Sequence, residues 1–254
     1  ALKINKEIGN RAGEATTINN IGQVYQGRAQ YPQALENHQQ ALQIAKEIGD
    51  RGGEATKIGS IGTIYLLQGQ YLKALEFFQQ ALKINKEIGN RSEEATILNN
   101  IGLAYNRQSQ YPRALEFYRQ ALQITKEIGD RDGEATNLGN IGTIYLSQGQ
   151  YLKALEFFQQ ALKINKEIGN RDGEAKALGN IGSVYKYQSK YPLALQYHQQ
   201  GLQIAREIGN RDDEGVKLNN IGQIYHAQGQ YIKSWNYYQQ ALRMALLHKD
   251  DELG

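Results

Sequence analysis

The chain has 254 residues, of which 40% are hydrophobic and 22% charged, a composition typical of a globular protein and not of a disordered one. Its formal net charge of +3 is spread evenly along the chain, which argues against nucleic acid or an anionic membrane as partner. Cysteine is absent, which excludes disulfides and thiol chemistry, and no apolar run approaches the roughly 18–20 residues of a membrane span. With no charged-then-apolar leader at its start, the sequence predicts a soluble, cytoplasmic protein.

The first residues repeat a later segment of the chain. ALKINKEIGNR opens the sequence at Ala1 and returns at Ala81, where it closes a longer helical pattern. We therefore expect residues 1–14 to form the second helix of a partial repeat, whose apolar edge lacks its first helix. Repeat arrays normally finish with a polar cap, so this edge predicts either a fragment of a longer array or end-to-end stacking on another copy.

A repeat of 40 residues follows, marked by Ile-Gly-x-x-Tyr. Its tyrosine occurs at Tyr25, Tyr65, Tyr105, Tyr145, Tyr185 and Tyr225. From Ile61 and from Ile141 two copies run for 31 residues with one difference, Leu67 against Ser147. We expect six complete repeats, at residues 15–54, 55–94, 95–134, 135–174, 175–214 and 215–254.

Apolar residues within each repeat follow the period of an α-helix. In the first repeat Ile18, Gly22 and Tyr25 fall at i, i+4 and i+7, which is one face of a helix. A second helical pattern begins at Tyr31 and ends near Gly49, a residue suited to the left-handed conformation just past a helix end. Each repeat is therefore predicted to be a pair of antiparallel helices, and the chain an all-α protein.

The repeated residues resemble a known family. Besides Ile-Gly-x-x-Tyr, each repeat places an aromatic-type residue at the position of His38, and alanines recur around it at Ala34 and Ala41. This order resembles the tetratricopeptide repeat (TPR), and the 40-residue version is similar to Pins-type adaptors and kinesin light chain. The resemblance implies a right-handed superhelical solenoid of stacked helix pairs, with the first helices lining a concave groove.

No set of residues points to catalysis. The histidines His38, His198, His226 and His248 show no metal-ligand spacing, and no serine has a paired base. The glycines do not form a phosphate-binding loop after a strand. We therefore predict a chain that is not an enzyme and that needs neither a cofactor nor a metal.

Asparagines recur just before the Ile-Gly pair, and we call this set the asparagine column. Its members are Asn20, Asn100, Asn140, Asn180 and Asn220, with Ser60 in the second repeat. The family resemblance implies that these residues bind the backbone of a peptide ligand. Asparagine is a mediocre helix former, and a carboxamide can pair with a peptide C=O and N–H together. The alternative is that the column forms hydrogen bonds between neighbouring helices of the stack.

Positions one turn further along the first helices vary between repeats. Leu66, Leu103 and Leu146 are expected to form apolar pockets in the middle of the groove. Modest positive charge and an aromatic ring are expected beside them, from Arg107, Lys186 and Tyr187.

Two functions follow from this pattern. The first is a non-enzymatic scaffold that binds a peptide segment of a partner protein along the groove. The second is a structural spacer, or a self-assembling segment of a larger multidomain signalling protein.

Overall fold

The computed structural model describes the backbone of residues 1–253 and the side chains of residues 1–5 and 7–246. Within these limits the chain forms helices and no strand, which confirms the all-α prediction. The helices are α1 Leu2–Glu7, α2 Arg11–Gly27, α3 Tyr31–Glu47, α4 Arg51–Leu67, α5 Tyr71–Glu87, α6 Arg91–Arg107, α7 Tyr111–Glu127, α8 Arg131–Ser147, α9 Tyr151–Glu167, α10 Arg171–Tyr187, α11 Tyr191–Glu207, α12 Arg211–Ala227 and α13 Tyr231–Leu253. The even-numbered helices are the first helices of the repeats.

Each first helix begins at an arginine because the residue before it is an N-cap. The Asn10 side chain accepts a hydrogen bond from Gly13 N at 2.9 Å, and Asp50 accepts one from Gly53 N at 2.8 Å. Such caps satisfy backbone N–H groups that have no partner inside the helix. The predicted boundary after residue 14 therefore falls inside α2, since α1 ends at Glu7 and α2 begins at Arg11.

The turns after α1, α3, α5, α7, α9 and α11 adopt the predicted left-handed conformation, with φ of +72° at Gly49. The turn between the two helices of a repeat uses the same conformation. In even-numbered repeats a glycine supplies it, but in odd-numbered repeats the residue is Ala29, Ser109 or Ser189, each with φ between 55° and 57°. These three non-glycine residues were not anticipated from the sequence.

The chain consists of two compact units, each with most of its contacts inside itself. Unit 1 is Ala1–Gly129 with α1 to α7, and unit 2 is Asp130–Gly254 with α8 to α13. Within each unit the two helices of a repeat pack on each other, and the second helix packs on the first helix of the next repeat. Successive first helices also touch, as α4 does α6 and α8 does α10. This is the packing of a TPR solenoid. One continuous solenoid over residues 1–254 remains a prediction.

The glycine of the Ile-Gly pair lets the two helices of a repeat approach closely. A Cβ added at Gly102 would lie 2.7 Å from the ring of Tyr118, and one added at Gly142 would lie 2.7 Å from Phe158. Real Cβ atoms do not come so near a ring, so the glycine provides the space for the aromatic-type residue of its partner helix. The ring residues His38, Phe78, Tyr118, Phe158 and His198 are completely buried.

Candidate functional site

Members of the asparagine column lie on five first helices, α2, α6, α8, α10 and α12. Asn20 is exposed and the other four are half-buried. Among the described residues, no hydrogen bond joins any of the five carboxamides to another group of the protein. The hydroxyl of Ser60, in contrast, donates a hydrogen bond to the Thr56 carbonyl oxygen of its own helix at 3.0 Å. The interpretation that the column holds neighbouring helices together therefore has no hydrogen bond to support it.

Members of the asparagine column line a hollow in each unit. The unit 1 hollow has a volume of about 180 Å³ and is lined by α2, α4 and α6, including Ser60 and Asn100. The unit 2 cavity is larger, about 320 Å³, and lies between α8, α9 and α10. Asn140 and Asn180 both line the unit 2 cavity, so the structure brings these two predicted residues to one site.

The predicted leucine pockets differ in accessibility. Leu66 is only 9% exposed because it packs in the core of unit 1, in one cluster with Ala104 of α6. Leu103 lies partly buried against the same cluster, and Leu146 in unit 2 is half-buried. Leu66 therefore offers a ligand almost no surface, contrary to its expected role as a pocket. Its burial depends on neighbouring helices and is not visible in its own helical pattern.

Two of the predicted basic and aromatic residues, Lys186 and Tyr187, contact each other. Lys186 Nζ donates a hydrogen bond to Gln223 Oε1 at 2.8 Å and lies 5.2 Å from the centre of the Tyr187 ring. Burial lowers the pKa of the Lys186 ammonium. Tyr187 is 59% exposed and stacks on Tyr151 with ring centres 6.5 Å apart, while Arg107 is exposed on α6 in unit 1. Lys186 and Tyr187 thus form a small cation–aromatic patch on unit 2.

Arginines at the start of the first helices form a pattern that the sequence analysis missed. Arg171 pairs with Glu174 Oε2 at 2.6 Å and with Glu207 Oε2 at 2.5 Å, and Arg11, Arg51, Arg91 and Arg131 do the same in their own repeats. These carboxylates raise the pKa of the Arg171 guanidinium, which in turn lowers the pKa of Glu207. The signal was present in the sequence as an Arg and a Glu separated by 36 residues, a spacing that occurs in five successive helix pairs.

The histidines at the ring position belong to the core. His38 and His198 are completely buried, and burial lowers the pKa of His38 to about 4 and that of His198 to about 3. Within the described part of the chain no group of three or more metal-binding side chains occurs. His248 lies outside the described side chains. None of the helices described here combines the length and apolar character that crossing a bilayer requires.

Comparison with known proteins identifies a family and a fold. The family model described as Tetratricopeptide repeat matches residues 13–87, 93–167 and 173–246. No curated protein sequence matches the chain.

Solved structures share the fold at low sequence identity. The chain is similar to BtubC (BKLC) from P. vanneervenii, with 20% identity, a TM-score of 0.69 and coverage of 87% of this chain and 90% of that one. It is also similar to a Rap protein complexed with competence and sporulation factor, with 15% identity, a TM-score of 0.73 and coverage of 93% and 76%. A third structure, described as a kinesin light chain from Podospora anserina with nearly identical TPR-like repeats, has 15% identity, a TM-score of 0.58 and coverage of 75% and 94%.

Proposed function

Since the chain belongs to the tetratricopeptide repeat family, we propose that it is a non-enzymatic protein-interaction scaffold that binds an extended peptide segment of a partner along its first helices. The observation that carries this proposal is the asparagine column, whose five carboxamides make no hydrogen bond to the described protein. Each of them keeps an acceptor oxygen and two donor hydrogens for a ligand.

The asparagine column lowers helix stability, which supports a role in ligand binding and not in folding. Asparagine lowers helix stability relative to alanine because its side chain competes for backbone hydrogen bonds, so five mid-helix copies weaken the helices that carry them. Packing explains the alanines and glycines of the repeat, but it does not explain a half-buried carboxamide without a partner. Hydrogen bonding to a peptide backbone supplies the missing partner.

The spacing of the column suits an extended chain. Packed helices lie about 8–10 Å apart, and an extended peptide rises about 3.3 Å per residue. Asn140 and Asn180, which line one cavity on α8 and α10, would therefore reach peptide groups about three residues apart. Among the similar structures, the Rap protein is complexed with competence and sporulation factor, so this fold carries a bound factor in at least one case.

A selection from a random peptide display library tests the proposal. The wild-type chain should retain peptides that bind saturably, and the triple variant Asn100→Ala, Asn140→Ala and Asn180→Ala should bind them at least tenfold more weakly. Gln79→Ala, Gln159→Ala and Gln199→Ala together form the matched control, because they remove three exposed carboxamides from second helices. This control should bind the selected peptides like the wild type.

Thermal melting of the same variants separates binding from stability. The asparagine variant should melt at or above the temperature of the wild type, because alanine is the better helix former. A cooperative loss of stability would mean that the column serves the stack. If the folded wild-type chain retains no peptide from the library, the proposal that the first helices bind a peptide is refuted.

The alternative function, self-assembly, has one supporting observation. Ile4 in α1 and Ile8 just after it are 59% and 69% exposed, which is high for isoleucine. Sedimentation at several concentrations tests this alternative. A mass that grows with concentration in the wild type, but not in Ile4→Lys with Ile8→Lys, would favour it.

A further inference from the structure

The unit 2 cavity exists because two small residues coincide on neighbouring first helices. A Cβ added at Gly59 of α4 would meet Ile97 Cδ1 of α6 at 2.9 Å, so isoleucine fills the space beside this glycine. Gly139 of α8 has the same position in its repeat, but a Cβ added there would meet no atom within 4 Å. The residue of α10 equivalent to Ile97 is Ala177, which is too short to fill the space.

Asn165 of α9 lines this cavity with a carboxamide that has no partner. Asn165 is 5% exposed, and the described residues offer its side chain no hydrogen bond. In the partial repeat the equivalent Asn5 of α1 donates to Thr17 Oγ1 of α2 at 3.2 Å. The position of Thr17 is occupied by Ala177 in α10, which has no polar side-chain atom. Because Asn165 lines a cavity, a ligand group placed there could form the hydrogen bonds that the protein does not supply.

Unit 1 contains an internal comparison for this site. The sequence of α5 is identical to that of α9, so Asn85 is the exact counterpart of Asn165 in sequence. Around Asn85, however, α6 contributes Glu93 and Ile97 where α10 has Gly173 and Ala177. Asn85 is 1% exposed and both polar atoms of its side chain are sealed from solvent, whereas Asn165 borders a cavity. The difference between the two sites therefore comes from α10 and not from α9.

The charges around the cavity are unbalanced. Lys176 Nζ lies 2.5 Å from Asp172 Oδ2, and Asn210 donates to the other Asp172 oxygen at 2.8 Å. Asp132 lacks a cation among the described residues and accepts a hydrogen bond only from Asn170 Nδ2, at 2.6 Å. The lining of three charged side chains thus retains one uncompensated negative charge, that of Asp132.

The apolar part of the cavity lining limits what can fill it. Ala135, Phe158 and Ala161 contribute apolar surface, beside the carboxylate of Asp132 and the carboxamide of Asn165. A long apolar stem with a cationic, hydrogen-bonding head matches such a lining. Arginine provides this shape and five donors without any acceptor. The volume of about 320 Å³ is at the lower end of the range of roughly 300–1,000 Å³ for ligand pockets.

We propose that the unit 2 cavity is a specificity pocket for a basic side chain of the bound peptide, best filled by arginine, which places its head between Asp132 and Asn165. This inference rests on the proposed function, because Asn140 and Asn180, which also line the cavity, would hold the peptide backbone. In this proposal α8, α9 and α10 together select which side chain of the peptide is bound at this point.

Two small probes test the pocket without any knowledge of the natural ligand. N-acetyl-arginine methylamide and N-acetyl-citrulline methylamide have nearly the same shape, but only the first is charged. We expect the arginine compound to shift the Asn165 side-chain amide signal saturably in a ¹⁵N NMR titration, about tenfold more tightly than the citrulline compound. The Asn85 signal is the internal control and should not move. The Asn165 signal is identified by its loss in Asn165→Ala.

Variants taken from other repeats of the chain fill the pocket. Ala177→Ile reproduces the residue that closes the site beside Gly59, and Ala177→Thr reproduces the partner of Asn5. Both should abolish the arginine-induced shift while the helical circular dichroism stays that of the wild type. Asp132→Asn should weaken the arginine compound about tenfold and leave the citrulline compound unchanged.

The outcomes separate this inference from the proposed function. If the display selection yields peptides but the Asn165 signal ignores the arginine compound, the pocket assignment fails and peptide binding stands. Equal affinity for arginine and citrulline would refute the choice of a basic side chain. If arginine binds saturably but no peptide is ever selected, peptide binding fails, and with it the claim that the occupant belongs to a peptide.

Discussion

Gly182 lies so close to the imidazole of His198 that a Cβ on the glycine would be 2.9 Å from both Cδ2 and Nε2 of the ring. The same relationship joins Gly142 to Phe158. The glycine therefore accepts a flat ring of either kind. His198 differs from Phe158 in burying two ring nitrogens that have no hydrogen-bond partner.

Replacing His198 by phenylalanine should stabilise the protein. The change removes two unsatisfied polar atoms and keeps a ring that the same position accepts at Phe158, so we expect a gain of about 1–2 kcal/mol at pH 7. Urea denaturation of the wild type and of His198→Phe measures it. His226→Phe is the control, because His226 is exposed and its loss should change little.

The same variant should show how pH acts on His198. Burial lowers the pKa of this imidazole from 6.5 to about 3, so the unfolded chain binds a proton that the folded chain excludes. Stability from neutral His198 is thus complete above pH 6.5 and is lost as the pH falls towards 3. The advantage of His198→Phe should therefore grow between pH 6.5 and pH 3. A constant difference over this range would mean that His198 is accessible to protons.

Replacing either of two glycines in α8, Gly139 and Gly142, by alanine should change the stability of the protein in opposite directions. Gly142→Ala should destabilise unit 2 by about 1–3 kcal/mol, because its Cβ would lie 2.7 Å from the Phe158 ring. Gly139→Ala meets open space and should stabilise the helix by up to about 1 kcal/mol. Urea midpoints of both variants test the pair, and a loss of stability at Gly139 would show that its space is occupied.

The turns between the two helices of a repeat should also be improvable. Ser189 adopts a φ of +57°, which costs a non-glycine residue about 1–2 kcal/mol, partly offset by the greater freedom of glycine when unfolded. We expect Ser189→Gly to stabilise the protein by about 0.5 kcal/mol and Gly149→Ser to destabilise it comparably. Equal midpoints for both variants would mean that the serine is not strained.

The ion pairs between the arginines that begin the first helices and the glutamates that end the second helices should make the stability of the protein sensitive to acid. Hydrogen bonds from Arg171 and then Gln203 lower the pKa of Glu207 below its ordinary value of 4.5. The stabilising contribution of Glu207 is therefore present above pH 4.5 and disappears as the pH falls through its lower folded value. Glu207→Gln should be less stable than the wild type at pH 7 and equally stable in acid.

The control for this prediction is Glu156→Gln, a change at an exposed glutamate of α9. It should leave the melting temperature unchanged at both pH values. Added salt should shrink the effect of Glu207→Gln, since both partners of the bridge are about half exposed. If the two variants behave alike, the bridge contributes no stability.

Features that depend on a single helix pair were predictable, because the same residue types recur along the chain at intervals of 40 residues. The ring at His38, the turn at Gly49 and the asparagine column all follow from such repetition, and the first two are confirmed by the structure. Leu66 was misjudged because its burial depends on the next repeat. The unit 2 cavity was missed for the same reason, since it needs Gly139 and Ala177 together, 38 residues apart.

The identity of α5 and α9 has a consequence for how such a gene can change. Recombination between the two duplicated stretches would delete residues 91–170 and join Asn90 directly to Arg171. Because residues 71–90 and 151–170 have the same sequence, α5 would meet α10 with the side chains that α9 now presents. Asn85 would then take the place of Asn165, with Gly59 opposite Ala177. The number of repeats can therefore fall by a pair without a new interface between a second helix and the first helix that follows it, whereas the joined cavity would have Gly52 in the position of Asp132 and would lose its carboxylate.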